Sequence, residues 1–222
     1  MENKERGLYI HIPFCAHKCL FCSFPIAVAK LNHAAEYIDA LGREYRYYDQ
    51  TPVSSIYLGG GTPSLLEEKY LIRLMSMVRS RGNINANAEI TIECNPETLT
   101  TDKIKCIQSL GFNRISLGAQ SFNERYLKFL GRRHYNTAPQ EAVDNIRREN
   151  LNNISVDLMY GFPGQTADEL MEDLKGIEQL NITQAANTAA FRAFRKLSIT
   201  YNLKPRNVTT IPIFPGKKPL VE

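Results

Sequence analysis

The sequence predicts an α/β fold, an open or closed (βα) barrel built on a parallel sheet. Two patterns carry that reading. Five strand-like segments are each followed by a helical pattern at a repeat of about 30 residues, which calls for parallel pairing through right-handed crossovers. Within those segments one face is apolar and the other polar, so the two sides of the sheet meet different surroundings.

The first strand is GLYIHI (7–12). The helix after it places Ala34, Ile38, Leu41, Tyr45 and Tyr48 on one face by steps of four and three. SSIYLG (54–59) precedes a helix that Ser64 and Glu67 would open as a capping box, with Leu71, Leu74 and Val78 as its buried stripe. EITIEC (89–94) leads to a helix around Ile104, Ile107 and Leu110, closed by Gly111 at C′. RISLGAQ (114–120) leads to helical stretches near 123–130 and 138–149. ISVDLMY (154–160) leads to a helix opened by a Thr166–Glu169 capping box.

Read at period two, the strands divide their residues by chemistry. Leu8, Ile10 and Ile12 alternate with Tyr9 and His11. Ile90 and Ile92 alternate with Thr91 and Glu93, Ile115 and Leu117 with Ser116, Gly118 and Gln120, and Val156 and Leu158 with Ser155 and Asp157. The apolar face belongs against the helices. The other face collects Tyr9, Glu93, Gln120 and Asp157, several of them near the C-terminal strand ends where (βα) barrels place active sites. Any one of these groups can be satisfied by internal hydrogen bonds. Together, the buried carboxylates predict a polar ligand in the barrel mouth.

Hydrophobic and charged fractions of 43% and 23% are those of an ordinary soluble globular chain. No apolar run reaches membrane-spanning length, and the start MENKERGLYIHI has no signal-peptide pattern. A cytoplasmic, reducing location is therefore expected, where clustered cysteines bind metals or do chemistry more often than they form disulfides. The net charge of +4 is uneven: residues 181–222 carry seven basic side chains against Glu222, which leaves 1–180 mildly acidic. That body does not look like a nucleic-acid binder. Residues 1–180 read as the core, and the basic, proline-rich 181–222 as a tail of different character.

Residues 15–24, CAHKCLFCSF, hold three of the five cysteines immediately after the first strand. A zinc site wants a fourth ligand, and His17 lies between Cys15 and Cys19, poorly placed to close a tetrahedron with them. Cys94 and Cys106 are divided by a predicted helix and read as ordinary buried thiols. An iron–sulfur cluster held at three corners is the better match, and its open iron calls for an exchangeable ligand.

YIHIPFC-x3-C-x-F-C resembles the signature of radical S-adenosylmethionine (SAM) proteins. In particular it is similar to the branch that holds the anaerobic coproporphyrinogen III oxidases and the HemW haem chaperones. The resemblance continues through LGGGTPSLL (58–66), EITIECNPETL (89–99), GFNRISLGAQSFNERYLKFLGRRH (111–134) and SVDLMYGFPGQT (155–166), so that it covers about 7–180. It implies a partial (βα)6 barrel of the radical-SAM type, with the sixth strand in question. By the same resemblance Cys15, Cys19 and Cys22 bind three irons of a [4Fe–4S] cluster, and SAM takes the fourth. Tyr9, Phe21, Gly60, Gly61, Thr62, Glu93, Gln120, Arg132 and Asp157 match SAM-contacting positions. In the Gly59–Pro63 segment the backbone N–H groups of Gly59–Thr62 are expected to face that ligand at a helix N-terminus.

Two departures from the family pattern bear on function. The oxidases resemble C-x3-C-x2-C-x-C, whereas position 24 here is Phe, as in the HemW branch. After Leu180 the family expects a strand resembling HISLYNLTIEP and a further domain, and LSITYNLKP (197–205) is only a faint echo of that strand. The expectation is a haem chaperone of the HemW type, with a [4Fe–4S] cluster, SAM and haem, serving a haem-acceptor protein. A flavodoxin- or ferredoxin-like electron donor would supply the cluster, and peripheral membrane contact stays open. The alternatives are an oxygen-independent coproporphyrinogen III oxidase, in which a 5′-deoxyadenosyl radical abstracts hydrogen from a propionate before decarboxylation, and a truncated, inactive member.

Overall fold

Across the sheet, residues of one parity meet their like. In the computed structural model, which describes residues 6–48, 51–81, 83–182 and 184–189, the strands are β1 (Arg6–Ile12), β2 (Val53–Gly60), β3 (Ile84–Cys94), β4 (Arg114–Gln120), β5 (Ile154–Tyr160) and β6 (Gln184–Ala189). They pair in that order, all parallel. Register aligns Ile10, Leu58, Ile92, Ile115 and Ile154 in one row across five strands, and all five are buried. A one-residue slip in any pair would turn its apolar set to the polar face, so this row fixes the register. The opposite parity aligns Glu93, Ser116 and Ser155. Among the described residues no pairing joins β1 to β6, so the sheet is a partial barrel.

The described residues form six α-helices: α1 (Ala34–Glu44), α2 (Glu68–Arg81), α3 (Thr101–Ser109), α4 (Glu124–Leu130), α5 (Ala138–Arg148) and α6 (Ala167–Gln179). Gly111 adopts φ 77° just beyond α3, as a C′ glycine does, and α6 opens on the full Thr166–Glu169 capping box. Two expectations fail. Ser64 does not cap α2. Its hydroxyl pairs with Thr98 Oγ1 at 2.5 Å and accepts from the Asn95 amide at 3.3 Å, and a 3-10 turn over Pro63–Leu65 precedes the helix instead. The face drawn through Tyr48 also stops short: α1 gives way to a 3-10 turn after Glu44, and Tyr48 is exposed.

The sixth strand lies at Gln184–Ala189, where Val156 pairs with Ala185 and Leu158 with Asn187, so the sheet continues past residue 180. LSITYNLKP, weighed as a trace of that strand, lies outside the described residues.

α6 is locked to the end of β4 by Asp173, which is 1% exposed. Its carboxylate accepts from Ser121 Oγ at 3.0 and 2.8 Å and from the Phe122 amide at 2.6 Å. Asp173→Ala would strand buried donors, and we expect a loss of about 2–3 kcal/mol in urea unfolding. Asp173→Asn, which keeps one acceptor oxygen, should lose less.

Candidate functional site

β1 ends at Ile12, and Pro13 turns the chain into the thiol loop. Phe14–Cys15 forms a two-residue parallel pairing with Ala27–Val28 that closes the base of the loop. The Cys22 amide donates to Cys19 O at 3.1 Å, and the Leu20 amide to Leu130 O at 3.2 Å, which ties the loop to the end of α4. All five cysteines are free. Cys15 is buried, and Cys19 and Cys22 are partly exposed. Among the described residues no three His, Cys, Asp or Glu side chains converge tightly enough to hold a single metal ion. The three loop thiols are nonetheless electrostatic neighbours, since Cys15 feels both Cys19 and Cys22.

The donors around these sulfurs suit thiolates. Thr62 Oγ1 lies 3.7 Å from Cys15 Sγ, while Arg132 Nη1 and His17 Nε2 each lie 3.9 Å from Cys19 Sγ. Burial pushes both thiols up, and Thr62 at Cys15 and Arg132 at Cys19 oppose it. A cluster that displaces the thiol protons would find those groups already aimed at its ligands.

Beside the loop the polar sheet face forms one continuous constellation. Tyr9 stacks on Tyr57 with ring centroids 6.0 Å apart, and Tyr57 donates to Glu93 Oε1 at 2.8 Å. Glu93 Oε2 accepts the Gly60 amide at 2.9 Å. Ser116 Oγ lies 3.4 Å from both Asp157 oxygens and accepts from Ser155 at 3.2 Å. Arg132 reaches in from beyond α4 to donate to Asn95 Oδ1 at 3.1 Å and Gly118 O at 2.8 Å. Its Nε is buried and has no partner among the described residues, the kind of orphan a bound polar ligand satisfies. A Cβ on Gly118 would sit 2.6 Å from Arg132 Nη2 and 3.0 Å from Gln120 Nε2, so the glycine leaves the space that both side chains use. Gln120 itself holds φ 71° at a register break in β4, a strained placement of the sort found at functional sites.

Thus Tyr9, Gly60, Thr62, Glu93, Gln120, Arg132 and Asp157 come together, and Cys15 and Cys19 join them through Thr62 and Arg132. Phe21 stands apart, 38% exposed on the thiol loop. The glycine loop departs from expectation. The amides of Gly60, Gly61 and Thr62 are spent on Glu93 Oε2, Ile12 O and Phe14 O, at 2.9, 2.7 and 2.8 Å, so the loop braces the thiol loop instead of presenting those donors to a ligand. The sequence placed Ser116 on the polar face without marking it as a site residue, and Tyr57 and Asn95 were not singled out. Tyr57 and Ser116 share the polar parity of their strands and were legible. Asn95, which joins Thr62 and Arg132, lies one residue past β3, beyond the reach of any period-two pattern.

Burial first and the Glu93 carboxylate second push Asp157 up to about 7, against Ser116 and Arg132. The unfolded chain releases this proton near 3.8. Between those values the folded state holds more protons, so stability is fully present below pH 4 and is lost as pH rises through 7. In the metal-free protein, Asp157→Asn should shrink the fall in unfolding free energy between pH 5 and pH 8 by about 2 kcal/mol. Urea titrations at the two pH values measure it.

A cavity of about 480 Å³ lies away from this constellation, lined by Phe122, Asn136, Glu172 and Asp173 among others. Asp173 is already saturated there, and nothing in that cavity matches the donor set at the thiols.

A sequence model of the radical SAM superfamily matches residues 9–177. The chain is 34% identical over 186 residues to the heme chaperone HemW of Lactococcus lactis, covering 84% of this chain and 49% of that protein. It is 34% identical over 184 residues to the oxygen-independent coproporphyrinogen III oxidase of Salmonella typhimurium, covering 81% and 40%. Among solved structures, coproporphyrinogen III oxidase (HemN) from Escherichia coli, described as a radical SAM enzyme, superposes with a TM-score of 0.78 at 31% identity, covering 85% of this chain and 45% of that one. The chain spans about half the length of the curated relatives it matches.

Proposed function

This chain belongs to the radical SAM superfamily, and we propose that within it the chain is a haem chaperone of the HemW type, passing haem to an acceptor protein. Membership implies a [4Fe–4S] cluster and SAM. Cys15, Cys19 and Cys22 would hold three irons, leaving one open. Tyr9, Phe21, Gly60, Gly61, Thr62, Glu93, Gln120, Arg132 and Asp157 would line the SAM site. Arg132, with its unpartnered Nε, suits a carboxylate, while Glu93 and Asp157 suit amino and hydroxyl donors. When bound and reduced, the cluster supplies the electron that SAM cleavage requires. The residues around it would fix the ligand's orientation.

Phe24 is the observation that favours the chaperone. It is 48% exposed, at the position where the family resemblance would put a fourth cysteine in an oxidase. The likeness to HemN supports the second reading, an oxygen-independent coproporphyrinogen III oxidase. No helix among the described residues is long and apolar enough to cross a membrane. We propose a cytoplasmic location and a radical SAM core over residues 1–180 that β6 extends to residue 189, with the basic residues beyond it as a tail distinct in composition. An electron donor of the flavodoxin or ferredoxin kind would serve the cluster.

The test is anaerobic reconstitution with iron and sulfide, followed by haem or coproporphyrinogen III with dithionite and SAM. A shifted haem Soret band without porphyrinogen turnover supports the chaperone. Conversion of coproporphyrinogen III to protoporphyrinogen IX would sink it in favour of the oxidase.

A further inference from the structure

The thiol loop carries an outer surface that the site does not use. Leu20 and Phe24, on the loop, are 78% and 48% exposed, and Phe129, on α4, is 43% exposed. The Leu20–Leu130 backbone bond brings the thiol loop against the end of α4, so these exposed apolar residues belong to two adjoining segments. Their surroundings are of one sign. Segments 15–30 and 128–135 contain Lys18, Lys30, Lys128, Arg132 and Arg133, and no Asp or Glu. Arg132 turns inward, whereas Lys18, Lys128 and Arg133 are exposed. Glu97, a carboxylate whose charge reaches His17, is engaged by His134 Nδ1 at 3.3 Å.

Exposed apolar residues with a basic rim, and no carboxylate within their own two segments, are the complement of an acidic protein surface. The chain's own residues 193–222 do not supply one, since they carry six basic side chains and a single acid. We propose that this face docks a small acidic protein that carries one-electron equivalents, with Leu20 and Phe24 at the centre of the contact and Lys18, Lys128 and Arg133 on its rim. The proposal rests on the cluster reading above. The face covers the loop that presents Cys19 and Cys22, so a carrier seated there is separated from the cluster by that loop alone. The carrier loses one electron, the cluster gains one, and no bond is made or broken.

The test uses the reconstituted full chain and reduced flavodoxin as the probe, with cluster bleaching followed by stopped flow. The double variant Lys18→Glu/Arg133→Glu should be reduced roughly tenfold or more slowly by flavodoxin at low salt, with the difference fading as salt rises. Lys105→Glu, on the exposed face of α3, should match the parent protein, and dithionite should reduce all three alike. Leu20→Ser should slow flavodoxin at every salt concentration. If dithionite works and flavodoxin reduces the double variant as fast as the parent, the docking face is wrong. Failure of dithionite on the parent protein overturns the cluster reading and this proposal with it. Capture of the parent by anionic lipid vesicles, lost in the double variant while flavodoxin rates stay equal, would reassign the face to a membrane and overturn the carrier.

Discussion

Cys19→Ser protein, reconstituted anaerobically, is expected to lose most of its cluster iron while keeping its fold. Cys19 Sγ is the loop sulfur with two nitrogens beside it, the donor Arg132 Nη1 and the ring nitrogen His17 Nε2, each at 3.9 Å. A serine hydroxyl gives up its proton far less readily than a thiol and is a poor ligand for iron–sulfur clusters, so those nitrogens would face a neutral group. The loop makes no part of the buried Ile10–Ile154 row, so apo stability should change by less than about 1 kcal/mol. Iron and sulfide per chain, with a thermal melt of the apo protein, separate the two effects. Unchanged iron content would mean that Cys19 is not a ligand.

Gly61→Ala should have the next largest effect, through geometry alone. A Cβ there would lie 2.7 Å from Phe14 O and 2.8 Å from Pro13 C and O, all backbone atoms that no side-chain rotation can move. Gly61 and Thr62 also donate to Ile12 O and Phe14 O, so relief of the clash must shift the segment that leads into Cys15. We expect about 2 kcal/mol of destabilisation and a tenfold or greater loss of SAM affinity. Ligand titration of the reconstituted protein reads the second. Gly42→Ala serves as control, because its added Cβ meets only Met77 Cγ at an ordinary 3.6 Å.

The parts of this fold that local rules govern were legible in the residues. Alternation placed Glu93 and Asp157 on the polar face, and the Thr166–Glu169 pair capped α6 as its spacing demands. What escaped was decided by tertiary partners. Ser64 has the spacing of a capping box, but its hydroxyl is claimed by Thr98 and Asn95 from the end of β3. QAANTA has few residues that favour strands, and it becomes β6 because β5 offers it a backbone edge. The glycine loop could be recognised, yet its amides turn inward to Glu93, Ile12 and Phe14, a choice set by chain segments 30 to 50 residues distant. Arg132 was marked by its motif, whereas its partners Asn95, Gly118 and Cys19 meet it only in the folded chain.

That three thiols and the polar sheet face form a single site is tested most directly by electron paramagnetic resonance of the dithionite-reduced, reconstituted protein with and without SAM. The account predicts that SAM shifts the cluster signal in the parent protein, because the open iron gains a ligand, and that Arg132→Ala requires at least tenfold more SAM for the same shift. A reduced-cluster signal that SAM leaves unchanged at saturating concentration would contradict it.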